Sequence, residues 1–327
     1  MSFMHRAWLY VARKKLKSLI VLAILLVMAT IMLSGFAIKH STDHAAKELD
    51  KTLMTGATLG NNQRTNPGTN RGSGTVSGKD INAVKHLPGV TSYVVRQQVL
   101  SDFPDTKLVS LPDGTSGYDT SKAAQFGNAA DVLGVNTSEL ENKFRAGSIK
   151  LTSGRHIKPD DTHKVLVHEK WAQKNGRKLG DTFTLKANPH DTDNRHNSTE
   201  ETTVQIVGMF SGTNPRQATY QVELFENLFF TDIATTRTLS KDTEQTEIYQ
   251  DATFFTKGST QLDELLKQAE KLPVNWRMYQ LTKNSQELAG VTGAVKGVYS
   301  LIDGMLVATG FFSVVIISLV LFLWMNE

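Results

Sequence analysis

The sequence contains no cysteine. That absence excludes disulfide staples, thiol nucleophiles and cysteine-ligated metals together. There is no Gly-x-Ser-x-Gly elbow for a serine hydrolase. His168-Glu169-Lys170-Trp171-Ala172 opens like a zinc-protease helix but carries alanine where the second histidine must stand, so it reads as a strand end entering a surface helix. Residues 74–80, GTVSGKD, imitate a phosphate loop. Ser73 occupies the position of the first glycine, and Asp80 replaces the Ser/Thr that holds magnesium. These gaps leave no catalytic residue, no cofactor and no metal to assign, and the chain reads as a non-enzyme.

What is present is apolar length. Leu19 to Ile38 is uncharged and free of proline, and a second run extends from Leu301 to Trp324 with Asp303 at its outer edge. Each reaches the roughly 20 residues that a helix needs to cross a bilayer core. Backbone amides find no water in lipid, so both segments must be helical. The first reads as an uncleaved anchor. Gly35-Phe36-Ala37 imitates a signal-peptidase site, but the apolar run is long for a signal peptide, and Trp8 and Tyr10 suit an interfacial position.

Charge orients the chain. Residues 1–17 hold Arg6, Arg13, Lys14, Lys15 and Lys17 and no acid. Subtracting that +5 from the chain's net +4 leaves −1 for the remaining 310 residues. A basic cluster beside a membrane helix stays in the cytoplasm, which places both termini inside and the large central domain outside a plasma membrane. The central domain offers no net positive field, so no nucleic acid is expected as a partner.

The fold class expected is therefore a membrane protein, with two transmembrane α-helices flanking an extracytoplasmic mixed α+β domain with helical stalks. Residues 1–17 form a cytoplasmic amphipathic basic segment, which reads either as a helix lying on the inner membrane surface or as a short basic flank with no structure of its own. Residues 18–38 form the first span and residues 39–297 the outer domain with its stalks. Residues 298–324 form the second span, and 325–327 begin a cytoplasmic loop. Within the outer domain, 56–78 is rich in Gly, Asn, Thr and Ser and predicts a flexible loop. Strands are predicted at 90–100, 164–168, 182–187, 202–210 and 227–232, and a helix within 137–147. A β-α-β run is predicted across 252–281. His190, Asp191, Asp193, His196 and Glu200 crowd one stretch, which reads as a solvated polar loop rather than a weak metal site.

Gly154-Arg155, Asp160-Asp161, Val165-Leu166-Val167 and Lys178-Leu179-Gly180-Asp181 follow one another, and a strand ending in Val207-Gly208 comes after them. In that order they resemble the extracytoplasmic core of FtsX-like and MacB-like ABC transporter permeases. Gly154, Arg155, Gly180 and Asp181 form the structural motif. Their residue types suit turns and strands, so the motif is one of folding, not of catalysis.

The resemblance implies a permease subunit that couples ATP hydrolysis by a separate cytoplasmic ATPase to movement of the outer domain, in export or mechanotransmission. It implies a second permease copy or paralogue beside it, in contact with the lipid bilayer. Trp8, Arg13, Lys14 and Lys15 are the expected ATPase contacts. Two further helices are expected beyond Glu327, so the chain reads as the N-terminal part of such a permease. The rival class is the extracellular ligand-sensing domain of a two-helix receptor or sensor kinase, which also begins with two helices around an outer α/β domain.

Overall fold

A computed structural model describes His5 and residues 15–52, 54–112 and 117–325. Trp8, Arg13 and Lys14 lie outside the described residues. The chain divides into two compact units, one of residues 1–53 with 285–327 and the other of residues 54–284.

The first unit is a pair of long helices, α1 (Lys15–Thr52) and α8 (Ser285–Met325). The 38 residues of α1 extend roughly 57 Å at about 1.5 Å per residue, well beyond a bilayer core of about 30 Å. Ser18–His44 and Tyr299–Ser318 are long and apolar enough to cross a membrane. Leu19, Leu22, Leu26 and Leu33 on α1, and Val307, Phe311 and Val314 on α8, are exposed, as side chains facing lipid must be. Lys15, the one expected ATPase contact among the described residues, opens α1 and is exposed.

The second unit contains β1 (Met54–Asn61), β2 (Val76–Ser77), α2 (Gly78–Lys85), β3 (Ser92–Asp102), α3 (Thr120–Phe126), β4 (Ala129–Val135), α4 (Asn142–Arg145), β5 (Ile149–Gly154), β6 (Lys164–His168), α5 (Glu169–Lys174), β7 (Thr182–Ala187), β8 (Glu201–Gly212), β9 (Phe229–Thr231), α6 (Ile233–Ser240), β10 (Ile248–Tyr249), β11 (Asp251–Lys257), α7 (Gly258–Ala269) and β12 (Tyr279–Lys283). Its main sheet runs β12-β1-β11-β3-β4-β9-β6-β8-β5, and β7 pairs with both β3 and β8. The ladders β3-β4-β9-β6-β8-β7 therefore close a six-stranded ring. A closed ring leaves none of its strands with a fully open edge.

The alternating pattern of strands β7 and β8 sends Phe183, Leu185, Val204 and Ile206 to one buried cluster. Trp171, Phe103 and Phe229 pack with them, the rings of Phe103 and Phe229 lying 4.5 Å apart and those of Trp171 and Phe183 4.8 Å apart. A second cluster gathers Leu59, Val95, Phe254, Ile81, Leu262 and Leu265, so α2 and α7 cover the β1-β11-β3 region. Burying each large side chain contributes about 1.5–3 kcal/mol. The predicted β-α-β run exists as β11-α7-β12, with β1 inserted between its two strands.

The expectation of a flexible loop at 56–78 is corrected. Residues 56–61 belong to β1, which pairs with β11 along Met54–Gly60 and with β12 along Ala57–Asn61. Gly56 and Thr58 have a packing reason. A Cβ on Gly56 would lie 2.9 Å from the Phe255 ring, and Thr58 hydrogen-bonds Thr253 across the ladder at 2.8 Å. The helix predicted within 137–147 is a single turn, α4, and Glu141 caps it by accepting from the Lys143 amide.

Candidate functional site

Gly154-Arg155 and Gly180-Asp181 meet on one strand. The Arg155 amide donates to the Val207 carbonyl at 2.9 Å, and the Gly180 amide donates to the Ile206 carbonyl at 2.9 Å. The Ile206 amide returns a bond to the Asp181 carbonyl at 2.9 Å. Val207 needs the Arg155 amide because the parallel β6–β8 ladder skips it, Val165 pairing with Ile206 and Leu166 with Gly208, while the Gly180 and Asp181 bonds carry the β7–β8 pairing on to Ile206. The motif thus grips β8 at a bulge, where the ladder itself cannot satisfy the backbone.

Side chains fix each turn. Arg155 binds Asp161 through two bonds, 2.6 and 2.8 Å, and Asp161 also accepts from the Lys158 amide. Burial alone would raise the Asp161 pKa, but the Arg155 bonds and the amide hold it below the usual carboxylate range. Asp181 accepts from the Lys178 amide at 2.9 Å, closing its own turn. Gly154 and Gly180 both have positive φ, 75° and 89°. A Cβ on Gly154 would sit 2.2 Å from the Val207 carbonyl oxygen and 2.8 Å from Gly208 Cα, whereas one on Gly180 would meet nothing within 4 Å. Only Gly154 is required by space as well as by conformation.

The stretch 190–200 is corrected as well. Asp191 and Asp193 are buried rather than solvated. Arg71 pairs with both, through Asp191 Oδ1 and, at 2.6 Å, Asp193 Oδ2. Asp191 also accepts from the Leu100 amide at 2.6 Å, and Asp193 from the Gly72 amide at 2.6 Å and from Gln250 at 3.1 Å. The two carboxylates fasten the 62–75 segment to the β7–β8 loop. His190 is exposed and edges the Phe126 ring, His196 pairs with Asp242 at 3.2 Å, and Glu200 pairs with Lys241 at 3.0 Å. Among the described residues no group of three His, Cys, Asp or Glu is placed to hold a metal ion. The acids stood out in the sequence as a cluster, but Arg71 carried no signal, because it meets Asp191 from 120 positions away.

His168 is a buried core residue. Its Nε2 bonds the Gly212 carbonyl at 3.0 Å and its Nδ1 accepts from the Lys170 amide at 3.1 Å, capping α5. Burial lowers its pKa, and accepting an amide bond on Nδ1 fits the neutral imidazole.

The chain enters and leaves this unit through neighbouring strands. Strand β1 begins at Met54, just after α1 ends at Thr52, and β12 ends at Lys283, two residues before α8 begins. The two strands pair antiparallel, Ala57 with Lys283 and Asn61 with Tyr279. Asn284 closes the end of the ladder: its amide donates to the Gly56 carbonyl at 2.8 Å, and Thr58 donates to its side-chain oxygen at 2.7 Å.

No family profile matches the chain. The uncharacterized ABC transporter permease YclI of Bacillus subtilis (strain 168) is 23% identical over 360 aligned positions, which span 100% of this chain and 71% of that protein. The extracellular domain of the noncanonic ABC-type transporter YknZ from Gram-positive bacteria is 13% identical with a TM-score of 0.40, covering 69% of this chain and 99% of that one. The periplasmic region of MacB from Actinobacillus actinomycetemcomitans is 13% identical with a TM-score of 0.40, covering 72% and 92%. The motif order and the full-length sequence similarity agree: the chain resembles ABC transporter permeases of the FtsX-like and MacB-like family.

Proposed function

We propose that this chain is a non-catalytic permease subunit driven by a separate cytoplasmic ATPase, and that it passes movement of its membrane helices to the outer domain, for export or mechanotransmission. The observation that carries the reading is the pairing of β1 with β12. Both helices lead into one antiparallel ladder, so a displacement of either acts on the same pair of strands. A conformational drive needs a contact whose energy differs between two states of the partner. In this reading Trp8, Arg13, Lys14 and Lys15 supply part of that contact on the cytoplasmic side, and a second permease copy or paralogue stands beside the chain in the bilayer. Residues 39–297 lie outside the cell, and both termini lie in the cytoplasm.

The sensor alternative asks for a concave ligand site with free polar groups. The cleft beneath the 188–194 loop is lined by Asp191 and Asp193, and Arg71, Gln250 and backbone amides already engage these acids. The deciding experiment purifies the tagged chain from its native membranes and asks whether a cytoplasmic ATPase comes with it. The ATPase should co-purify, its hydrolysis rate should change several-fold on binding, and Trp8→Ala should weaken its retention. An ATPase that neither binds nor changes its rate would overturn the reading.

A further inference from the structure

Four contacts run in one line between the two long helices. Ser313 Oγ meets Met28 Sδ at 3.8 Å. A Cβ on Gly35 would lie 3.0 Å from the Leu306 side chain. Lys39 pairs with Asp303 at 3.2 Å, and Tyr299 hydroxyl donates to Asp43. Along α1 these residues are spaced by seven, four and four, and along α8 by seven, three and four, which is the spacing of a continuous antiparallel seam. The seam is apolar or small at Met28 and Gly35. Among these four contacts, the charged ones lie at the end of the two spans that leads to the outer domain.

We propose that Lys39–Asp303 and Asp43–Tyr299 form a two-step polar lock that fixes the register of α1 against α8 at the outer membrane boundary. The charge order rejects the neighbouring registers. Moving α8 by one turn in one direction sets Asp303 against Asp43, two like charges. Moving it one turn the other way sets Asp303 against Gly35, leaves Asp43 without its tyrosine and brings Tyr299 to Lys39. Either shift leaves a charge without its partner; the Lys39 and Asp303 side chains are exposed on the helix pair, and an unpaired charge facing the lipid boundary is costly. The helices can then splay or rotate at their cytoplasmic ends, but they resist sliding past one another, so axial slip does not absorb a movement before it reaches the β1–β12 ladder. The lock needs no ATPase, so its test and that of the transport reading fail separately.

The absence of cysteine makes disulfide mapping clean in the full chain in native membranes. Met28→Cys is combined in turn with Ser313→Cys, Thr309→Cys and Ile317→Cys, the last two reporting one-turn shifts. In the parent, 28–313 should cross-link several-fold faster than either shifted pair. Lys39→Asp should cut the 28–313 yield several-fold, and Lys39→Asp combined with Asp303→Lys should restore it. If Lys39→Asp fails to accumulate in the membrane, Lys39→Met makes the same comparison with the methylene stem kept. An unchanged 28–313 yield in the single variants, or a loss that the charge exchange does not repair, would overturn the lock.

Discussion

Replacing Gly154 by valine should be among the most damaging single changes in the outer domain, costing about 3–5 kcal/mol. Two effects combine. The positive φ of 75° at Gly154 is a conformation that a β-branched residue adopts only under strain. The new Cβ would also collide with backbone, the Val207 carbonyl oxygen at 2.2 Å and Gly208 Cα at 2.8 Å. Neither atom can rotate away as a side chain would. Relief requires parting β5 from β8, which also breaks the Arg155–Val207 bond at the bulge. Gly180→Val is the internal control. Its φ of 89° carries the conformational cost, but no atom lies within 4 Å of the added Cβ, so about 1–3 kcal/mol is expected. Urea unfolding of residues 54–284, which form their own compact unit, measures both. Equal costs for the two variants would show that close packing at Gly154 has no role.

Arg96→Met should cost about as much for an electrostatic reason. Arg96 holds Asp251 through two bonds, one of them 2.8 Å long, and reaches Glu141 at 3.4 Å. The side chains of Glu141 and Asp251 are 0% and 7% exposed. Methionine keeps most of the volume, leaves Asp251 buried without its cation and leaves Glu141 only the longer contact to Lys143, at 3.9 Å. Removing one partner from a buried ion pair typically costs about 3–5 kcal/mol, because the charge left behind is uncompensated. The signature is non-additivity: Arg96→Met with Asp251→Asn and Glu141→Gln should recover much of the loss. Additive losses in the same urea titration would argue that Arg96 acts through packing alone.

Local signals dominated what the sequence made legible. Strand β6, Lys164–His168, and strand β7, Thr182–Ala187, are apolar or alternating runs bounded by turns, and both lie where the pattern placed them. The long apolar runs and the β11-α7-β12 crossover were equally readable. Strand β1 was not, because Met-Thr-Gly-Ala-Thr-Leu-Gly-Asn has the composition of a loop. Gly56 makes room for Phe255, and the strand's threonines pair with threonines some 200 positions away. The acids at 191 and 193 were visible as a cluster, but their burial depends on Arg71, and nothing local announces that partner. Gly154 and Gly180 stood out together as turn glycines. Only the approach of Val207 and Gly208 separates the one that must be glycine from the one that need not be.

The placement of the outer domain is the premise on which the rest stands, and one labelling experiment tests it. His190 is exposed on the outer domain, and the background contains no thiol. His190→Cys in the full chain, treated in intact cells with a membrane-impermeant maleimide, should label as completely as it does after lysis. The basic tail of residues 1–17 against the near-neutral remainder demands that orientation. Labelling that appears only after the cells are broken would put residues 54–284 in the cytoplasm and contradict the account.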